Sequence, residues 1–115
     1  MSTPADVLAM ARQIVERASP ETAGLWPRAA ALLARQALEM AVDGYWADRK
    51  IPLDACPTLP QLICLREYLG DAELAGRLQY AWAGLTRACH HHPYELPPAA
   101  GELEGWIEAV EGFTK

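Results

Sequence analysis

Apolar residues recur along this chain at intervals of three and four positions, which is the spacing of one face of an α-helix. The pattern predicts a first helix over residues 5–17 and a second, the longest, over 28–48. Three more are expected over 59–69, from position 71 to the residues before Pro93, and over 101–113. Because no segment alternates apolar and polar residues for long, we predict an all-α fold, a four- to five-helix up-and-down bundle.

Proline, glycine and capping residues mark the ends of these helices. Pro27 suits a first helical turn, where no amide donor is needed. Thr58 is expected to cap the third helix, and Gly70 to end it. Asp71 should cap the fourth helix, and Pro93 must end it because proline lacks the amide proton and clashes with the preceding turn.

Alanine and leucine dominate the predicted core, and both lose little side-chain freedom in a helix. The expected buried stripe of the second helix comprises Ala30, Leu33, Ala37, Met40, Ala41 and Tyr45, widened by Leu38, Val42 and Trp46. The expected seam of the fourth helix comprises Leu74, Leu78, Ala81, Leu85 and Ala88.

Composition limits the classes of function. A length of 115 residues is that of a single domain. The formal net charge is −5, so any nucleic-acid role needs a local basic cluster. Three cysteines without paired spacing indicate reduced thiols in a cytoplasmic protein. The start lacks the pattern of a signal peptide, and no apolar run approaches the ~20 residues of a membrane span, so we expect no membrane association.

One segment carries most of the reactive chemistry: Arg87, the histidines His90, His91 and His92, and Tyr94. Histidine titrates near pH ~6.5 and so can accept and return a proton at neutral pH. Arginine offers a planar set of donors suited to phosphate. Together these groups predict a site that cleaves RNA without a metal or other cofactor, with the ribose 2′-hydroxyl as nucleophile.

Helical spacing leaves the choice of histidine open. On a continuous helix Arg87 shares a face with His90 and His91, three and four residues on. His92 lies off that face, but it precedes Pro93, and a residue before proline is driven out of the helical conformation. His92 can therefore turn toward Arg87, and the spacing does not decide between the three.

Two alternatives explain the same residues without catalysis. Histidines at the C-terminal end of a helix are favourable there because their partial positive charge complements exposed carbonyl groups. Cys89 and His92 are three residues apart and could share a zinc ion with Cys56 or Cys64. However, adjacent helical histidines diverge by about 100° and there is no Cys-x-x-Cys pair, so we predict no metal site.

The spacing Arg87, four residues, His92, one residue, Tyr94 resembles a motif of the HEPN superfamily, helical domains that include ribonuclease toxins. The stretch 34–39 is similar to a Gln-Ala-x-Glu sequence in an early HEPN helix, and the resemblance covers residues 28–113. Active members usually carry a polar residue after the arginine, where this chain has Ala88. That departure favours, as the alternative, a non-catalytic HEPN-like dimerisation or adaptor module.

The resemblance implies a function and a set of roles. The chain would be a HEPN-like, metal-independent endoribonuclease of a toxin–antitoxin or defence system, acting as a homodimer. Arg87 would bind and polarise the phosphate, and His92 would transfer protons, with His91 as its competitor. His90 and Tyr94 would contribute to binding. In the toxin branch a nucleotidyltransferase antitoxin modifies the tyrosine, which points to Tyr94 here.

Overall fold

The computed structural model describes residues 2–22, 24–90 and 96–114, and these form five α-helices and no strand. The helices are α1 (Pro4–Glu16), α2 (Trp26–Asp48), α3 (Thr58–Leu69), α4 (Ala72–Cys89) and α5 (Ala100–Thr114). The prediction of an all-α bundle is confirmed. None of the described helices is both long and apolar enough to cross a membrane.

Local side-chain chemistry explains most of the helix ends. Thr3 caps α1, since its hydroxyl accepts the Asp6 amide at 3.1 Å and the Asp6 carboxylate accepts the Thr3 amide at 3.0 Å. Asp71 caps α4 as predicted, because its carboxylate accepts the Leu74 amide at 3.0 Å. Gly70 ends α3 with a φ of 71°, a left-handed conformation that glycine adopts without strain.

The prediction that Thr58 caps α3 is wrong. Thr58 is the first residue of the helix, and Pro57 precedes it without a side-chain cap. The Thr58 hydroxyl instead donates a hydrogen bond of 3.1 Å to Glu39 of α2. This hydroxyl therefore ties the start of α3 to α2 rather than to its own backbone.

Helix α2 lies at the centre of the bundle and contacts each of the other four helices. Its buried residues are Pro27, Ala30, Ala31, Ala34, Ala37, Leu38, Val42 and Trp46. Four residues that were predicted to be buried are only half-buried: Leu33, Met40, Ala41 and Tyr45. The prediction failed because a single buried stripe is typical of a helix that packs on one side. Helix α2 packs on several sides, and its small alanine side chains allow the other helices to approach closely.

Helix α4 follows its predicted seam more closely. Leu78, Ala81 and Leu85 are fully buried, while Leu74 and Ala88 are half-buried. Gly84 is also buried in this helix. Because α2, α4 and α5 contact one another pairwise, the start of α2, the end of α4 and the start of α5 meet at one end of the bundle.

Candidate phosphate-binding cleft

A cleft of about 850 Å³ opens where these three helices meet. The start of α2 provides Gly24, Pro27 and Arg28, and the end of α4 provides Gly84, Arg87 and Ala88. The remaining described lining residues precede or belong to α5: Leu96, Pro97, Pro98, Ala99, Glu102 and Trp106. The volume falls within the range of small-molecule sites, about 300–1,000 Å³.

Arg87, the cation predicted from the sequence, lies on the wall of this cleft. It stands in the last turn of α4 and is exposed. Within the described part of the chain its guanidinium forms no ion pair. Arg87, the residue predicted to bind phosphate, therefore lines a cavity in the size range of small-molecule sites.

The helix ends before the histidines, which corrects the argument from helical spacing. The last helical residue is Cys89, and His90 is the C-terminal cap with φ −96° and ψ 53°. Its amide still donates to the Thr86 carbonyl at 3.1 Å, but its side chain is exposed and does not line the cleft. His90 is therefore the cap residue of α4, and it is not among the residues that line the cleft with Arg87.

The other predicted residues of this segment, His91, His92 and Tyr94, lie outside the described residues, as does Pro93. Their proposed roles stay predictions. The zinc alternative involves His92 as well, and among the residues that the structure does describe no group of three or more metal-binding side chains comes together.

Arg28 is a cleft residue that the sequence analysis missed. It lies in the first turn of α2, is exposed, and lines the same cleft as Arg87. Like Arg87, it forms no ion pair with a carboxylate of the described residues. Its position beside Pro27, a first-turn residue, places it at a helix N-terminus, but no feature of the sequence connects that turn with the end of α4.

The backbone of α2 adds to the positive character of the cleft. The first amide groups of a helix have no partner within it, and the helix dipole places partial positive charge there. Leu25 occupies the cap position and supplies no side-chain acceptor. The start of α2 is therefore a favourable place for an anion, next to the Arg28 side chain.

Glu102 is the one carboxylate among the described lining residues of the cleft. Its Oε1 accepts a hydrogen bond of 3.1 Å from the Ala99 amide, which holds the side chain against the start of α5. This contact is one half of a capping box, and it was not predicted. The described lining of the cleft thus combines two cationic side chains with one exposed carboxylate that a hydrogen bond restrains.

Trp106 forms the aromatic wall of the cleft, and Gly84 sets its position. A Cβ atom added at Gly84 would lie 2.7 Å from Trp106 Cε2 and 2.8 Å from Cη2, and closer still to Cζ2. The indole therefore rests on the bare backbone of α4. Trp106 is half-buried and is one of the residues that line the cleft.

A second polar cluster joins α2 to α4 outside the lining of the cleft. Arg35 and Glu39, four residues apart on α2, form an ion pair with 3.6 Å between Nε and Oε1. Burial raises the pKa of the Cys89 thiol, and the neighbouring Arg35 guanidinium offsets part of that rise. The Arg35 guanidinium also lies 5.9 Å from the centre of the Trp82 ring. These contacts anchor the end of α4 against α2.

A smaller cavity, about 320 Å³ between α1 and α5, has a different character. Glu16 is one of its lining residues, and Arg12 and Glu111 form a bidentate ion pair in it, with distances of 2.7 and 3.1 Å. Their charges are therefore already matched within the protein. Because Glu16 is added to that pair, the described lining of this cavity has more carboxylates than cations and disfavours a phosphate, unlike the described lining of the cleft at Arg28 and Arg87.

No protein-family model matches this chain, and comparison with curated proteins and with solved structures yielded no match. The HEPN resemblance rests on the residues quoted for it and stays a prediction.

Proposed function

We propose that this protein binds the phosphodiester backbone of RNA in the cleft and cleaves it without a metal ion. The observation that supports the proposal is the convergence of Arg28 and Arg87, from two different helices, on one cleft. On a chain with a net charge of −5, a nucleic-acid site requires such a local basic cluster.

Two guanidinium groups on opposite helices suit a phosphodiester better than one. Each offers a planar fork of donors to the non-bridging oxygens of a phosphate. The uncapped start of α2 lies beside them and favours negative charge. The arrangement would hold a phosphate in place and stabilise the additional charge that develops on it in the transition state.

The proposed reaction is transfer of the phosphoryl group to the neighbouring ribose hydroxyl. The 2′-oxygen attacks phosphorus as its proton passes to a base, the bond to the 5′-oxygen breaks, and that oxygen receives a proton. A 2′,3′-cyclic phosphate and a free 5′-hydroxyl result. Arg87 serves as the phosphate-binding group, and His92 is assigned the proton transfer by the HEPN resemblance, with His91 as the competing residue.

The test is an RNA cleavage assay in the presence of a chelator, with four variants beside the wild-type protein. Arg87→Ala and His92→Ala should each lower the cleavage rate, on the order of 100-fold or more for a general acid–base residue. Arg28→Ala should lower it as well, because the cleft would lose half of its cationic side chains. Arg77→Ala is the matched control, since Arg77 is also exposed on α4 but does not line the cleft.

Salt dependence provides a second measurement on the same proteins. Each phosphate contact with a single strand contributes about 0.7 to the slope of log affinity against log salt. Arg28→Ala should therefore flatten the slope by about 0.7, while Arg77→Ala leaves it unchanged. Intact RNA after incubation with folded wild-type protein, or equal effects of Arg28→Ala and Arg77→Ala, would contradict the proposal.

The HEPN resemblance extends the proposal to a cytoplasmic toxin–antitoxin or defence system, with a homodimer as the active form. A nucleotidyltransferase partner would then modify Tyr94. Mass spectrometry of the protein after co-expression with a nucleotidyltransferase encoded beside it tests this partner. A Tyr94 that stays unmodified would count against it.

The second candidate is the non-catalytic dimerisation module, and an apolar stripe on α2 favours it. Leu25 is 75% exposed and Leu32 is 54% exposed. They are seven residues apart at the start of α2 and so share one face of it. Sedimentation of wild-type protein beside Leu32→Lys tests whether this face joins two copies. A monomer at every concentration would rule out the module.

A further inference from the structure

The three kinds of side chain in the cleft point to more than a phosphate. The arginines provide a cationic side, Glu102 a fixed carboxylate and Trp106 an aromatic surface. We propose that the cleft accepts one unpaired ribonucleotide of an RNA strand, with Glu102 accepting a hydrogen bond from the ribose 2′-hydroxyl. This inference rests on the proposed function, whose reaction already requires a 2′-hydroxyl, and adds to it a preference for RNA over DNA in binding.

Glu102 requires an explanation in a site for an anion. A carboxylate beside a phosphate is unfavourable, because like charges repel. The cost is offset if the carboxylate accepts a hydrogen bond from the ligand, since hydrogen bonds to charged acceptors are about twice as strong as neutral ones. The Ala99 amide already occupies Oε1, which holds the group in place and leaves the other oxygen to accept.

The hydroxyl in question is identified by the chemistry of the strand. An internal nucleotide of RNA has its 3′- and 5′-oxygens bound in phosphodiesters. Its 2′-hydroxyl is the one ribose group that can donate a hydrogen bond, and DNA lacks it. A carboxylate that accepts from the sugar therefore favours RNA.

Trp106 provides a surface for the base, the part of the nucleotide that remains after the phosphate and the ribose. Aromatic side chains bind unpaired bases by stacking, and they do so with little regard to sequence. The backbone of Gly84 supports the indole from behind, so the ring does not have to be ordered when a base arrives. Because a paired base is stacked inside its duplex, this surface favours single-stranded RNA.

The experiment uses mononucleotides, which contain no internucleotide bond and therefore cannot be cleaved. The wild-type protein, labelled with ¹⁵N, is titrated with adenosine 3′,5′-bisphosphate and with 2′-deoxyadenosine 3′,5′-bisphosphate, whose 3′-oxygens are blocked as they are in a strand, and the tryptophan indole signals are followed by NMR. The Trp106 signal is identified by its loss in Trp106→Phe. Inorganic phosphate is titrated separately to measure the contribution of the cationic side alone.

The ribonucleotide should shift the Trp106 signal and bind more tightly than the deoxyribonucleotide, on the order of tenfold for one hydrogen bond to a charged acceptor. Glu102→Gln should remove most of that difference, because glutamine keeps an acceptor for the Ala99 amide but loses the charge. Glu104→Gln is the matched control, since Glu104 is exposed on the same helix and does not line the cleft.

The outcomes separate this inference from the proposed function. Equal affinity for the two mononucleotides, or an unchanged preference in Glu102→Gln, overturns the role of Glu102 while RNA cleavage still stands. Cleavage of RNA without any shift of Trp106 overturns the aromatic surface alone. If neither mononucleotide binds and RNA stays intact, both proposals fail.

Discussion

Substitution of Gly84 tests its contact with Trp106. The atoms around the added Cβ decide whether the substitution stabilises or destabilises the protein. Gly84→Ala would place a methyl group within 3 Å of several atoms of the indole. The ring would have to move, and overpacking of this kind costs about 1–3 kcal/mol. Alanine also favours a helix over glycine by about 1 kcal/mol. We therefore expect a net loss of about 0–2 kcal/mol in the free energy of unfolding.

Gly76→Ala is the matched control for this prediction. Gly76 lies in the same helix, α4, is exposed, and has no atom within 4 Å of its would-be Cβ. Alanine should therefore stabilise the protein there by up to about 1 kcal/mol. Since the helix propensity is common to both substitutions, the difference between the two variants measures the steric cost at Trp106.

Urea unfolding followed by far-UV circular dichroism measures both variants, and a double mutant adds a further check. Trp106→Phe replaces the indole by a smaller ring, so Gly84→Ala should cost less in that background. If Gly84→Ala stabilises the protein as much as Gly76→Ala does, the indole does not rest on α4. The aromatic wall proposed for the cleft would then lose its support.

Three further predictions concern the ends and surfaces of the helices. Gly70→Ala should destabilise the protein by about 1–2 kcal/mol in thermal unfolding, because its φ of 71° is costly for alanine, and a stabilised variant would contradict the left-handed cap. Glu111→Gln should cost no more than about 1 kcal/mol, since both side chains of its pair with Arg12 are about one-third exposed, and high salt should reduce the effect. Burial raises the pKa of the Cys89 thiol above 9.0, so the folded state holds this proton more tightly than the unfolded state. The resulting stability is complete below pH 9.0 and is lost as the pH rises through the folded pKa, so wild-type protein should lose stability relative to Cys89→Ala above pH 9.0.

The sequence predicts the helices well because their ends are local features. Asp71 and Gly70 act through residues within four positions, and a pattern of spacing is enough to find them. The central helix is different. Which of its alanines are buried depends on neighbours that lie far away in the sequence, so the predicted stripe was displaced from the observed core at Leu33 and Met40.

The candidate site divides in the same way. Arg87 was found because it belongs to a segment with unusual composition. Arg28 and Glu102 belong to ordinary helix starts, where a basic or an acidic residue attracts no attention. Only the packing of α2 and α5 against the end of α4 brings them to Arg87. These residues are chemically notable because they line one cleft with Arg87, and the sequence does not show that they do.

Ala88 was the residue that argued against catalysis, because active HEPN members usually have a polar side chain after the arginine. The structure shows where this alanine lies. Ala88 is half-buried and lines the cleft beside Arg87. The alanine side chain adds no polar group to the lining, whereas Arg28 brings polar donors from another helix. The polar donors of the cleft therefore come from two helices, and the residue after Arg87 is not the only position that could supply them.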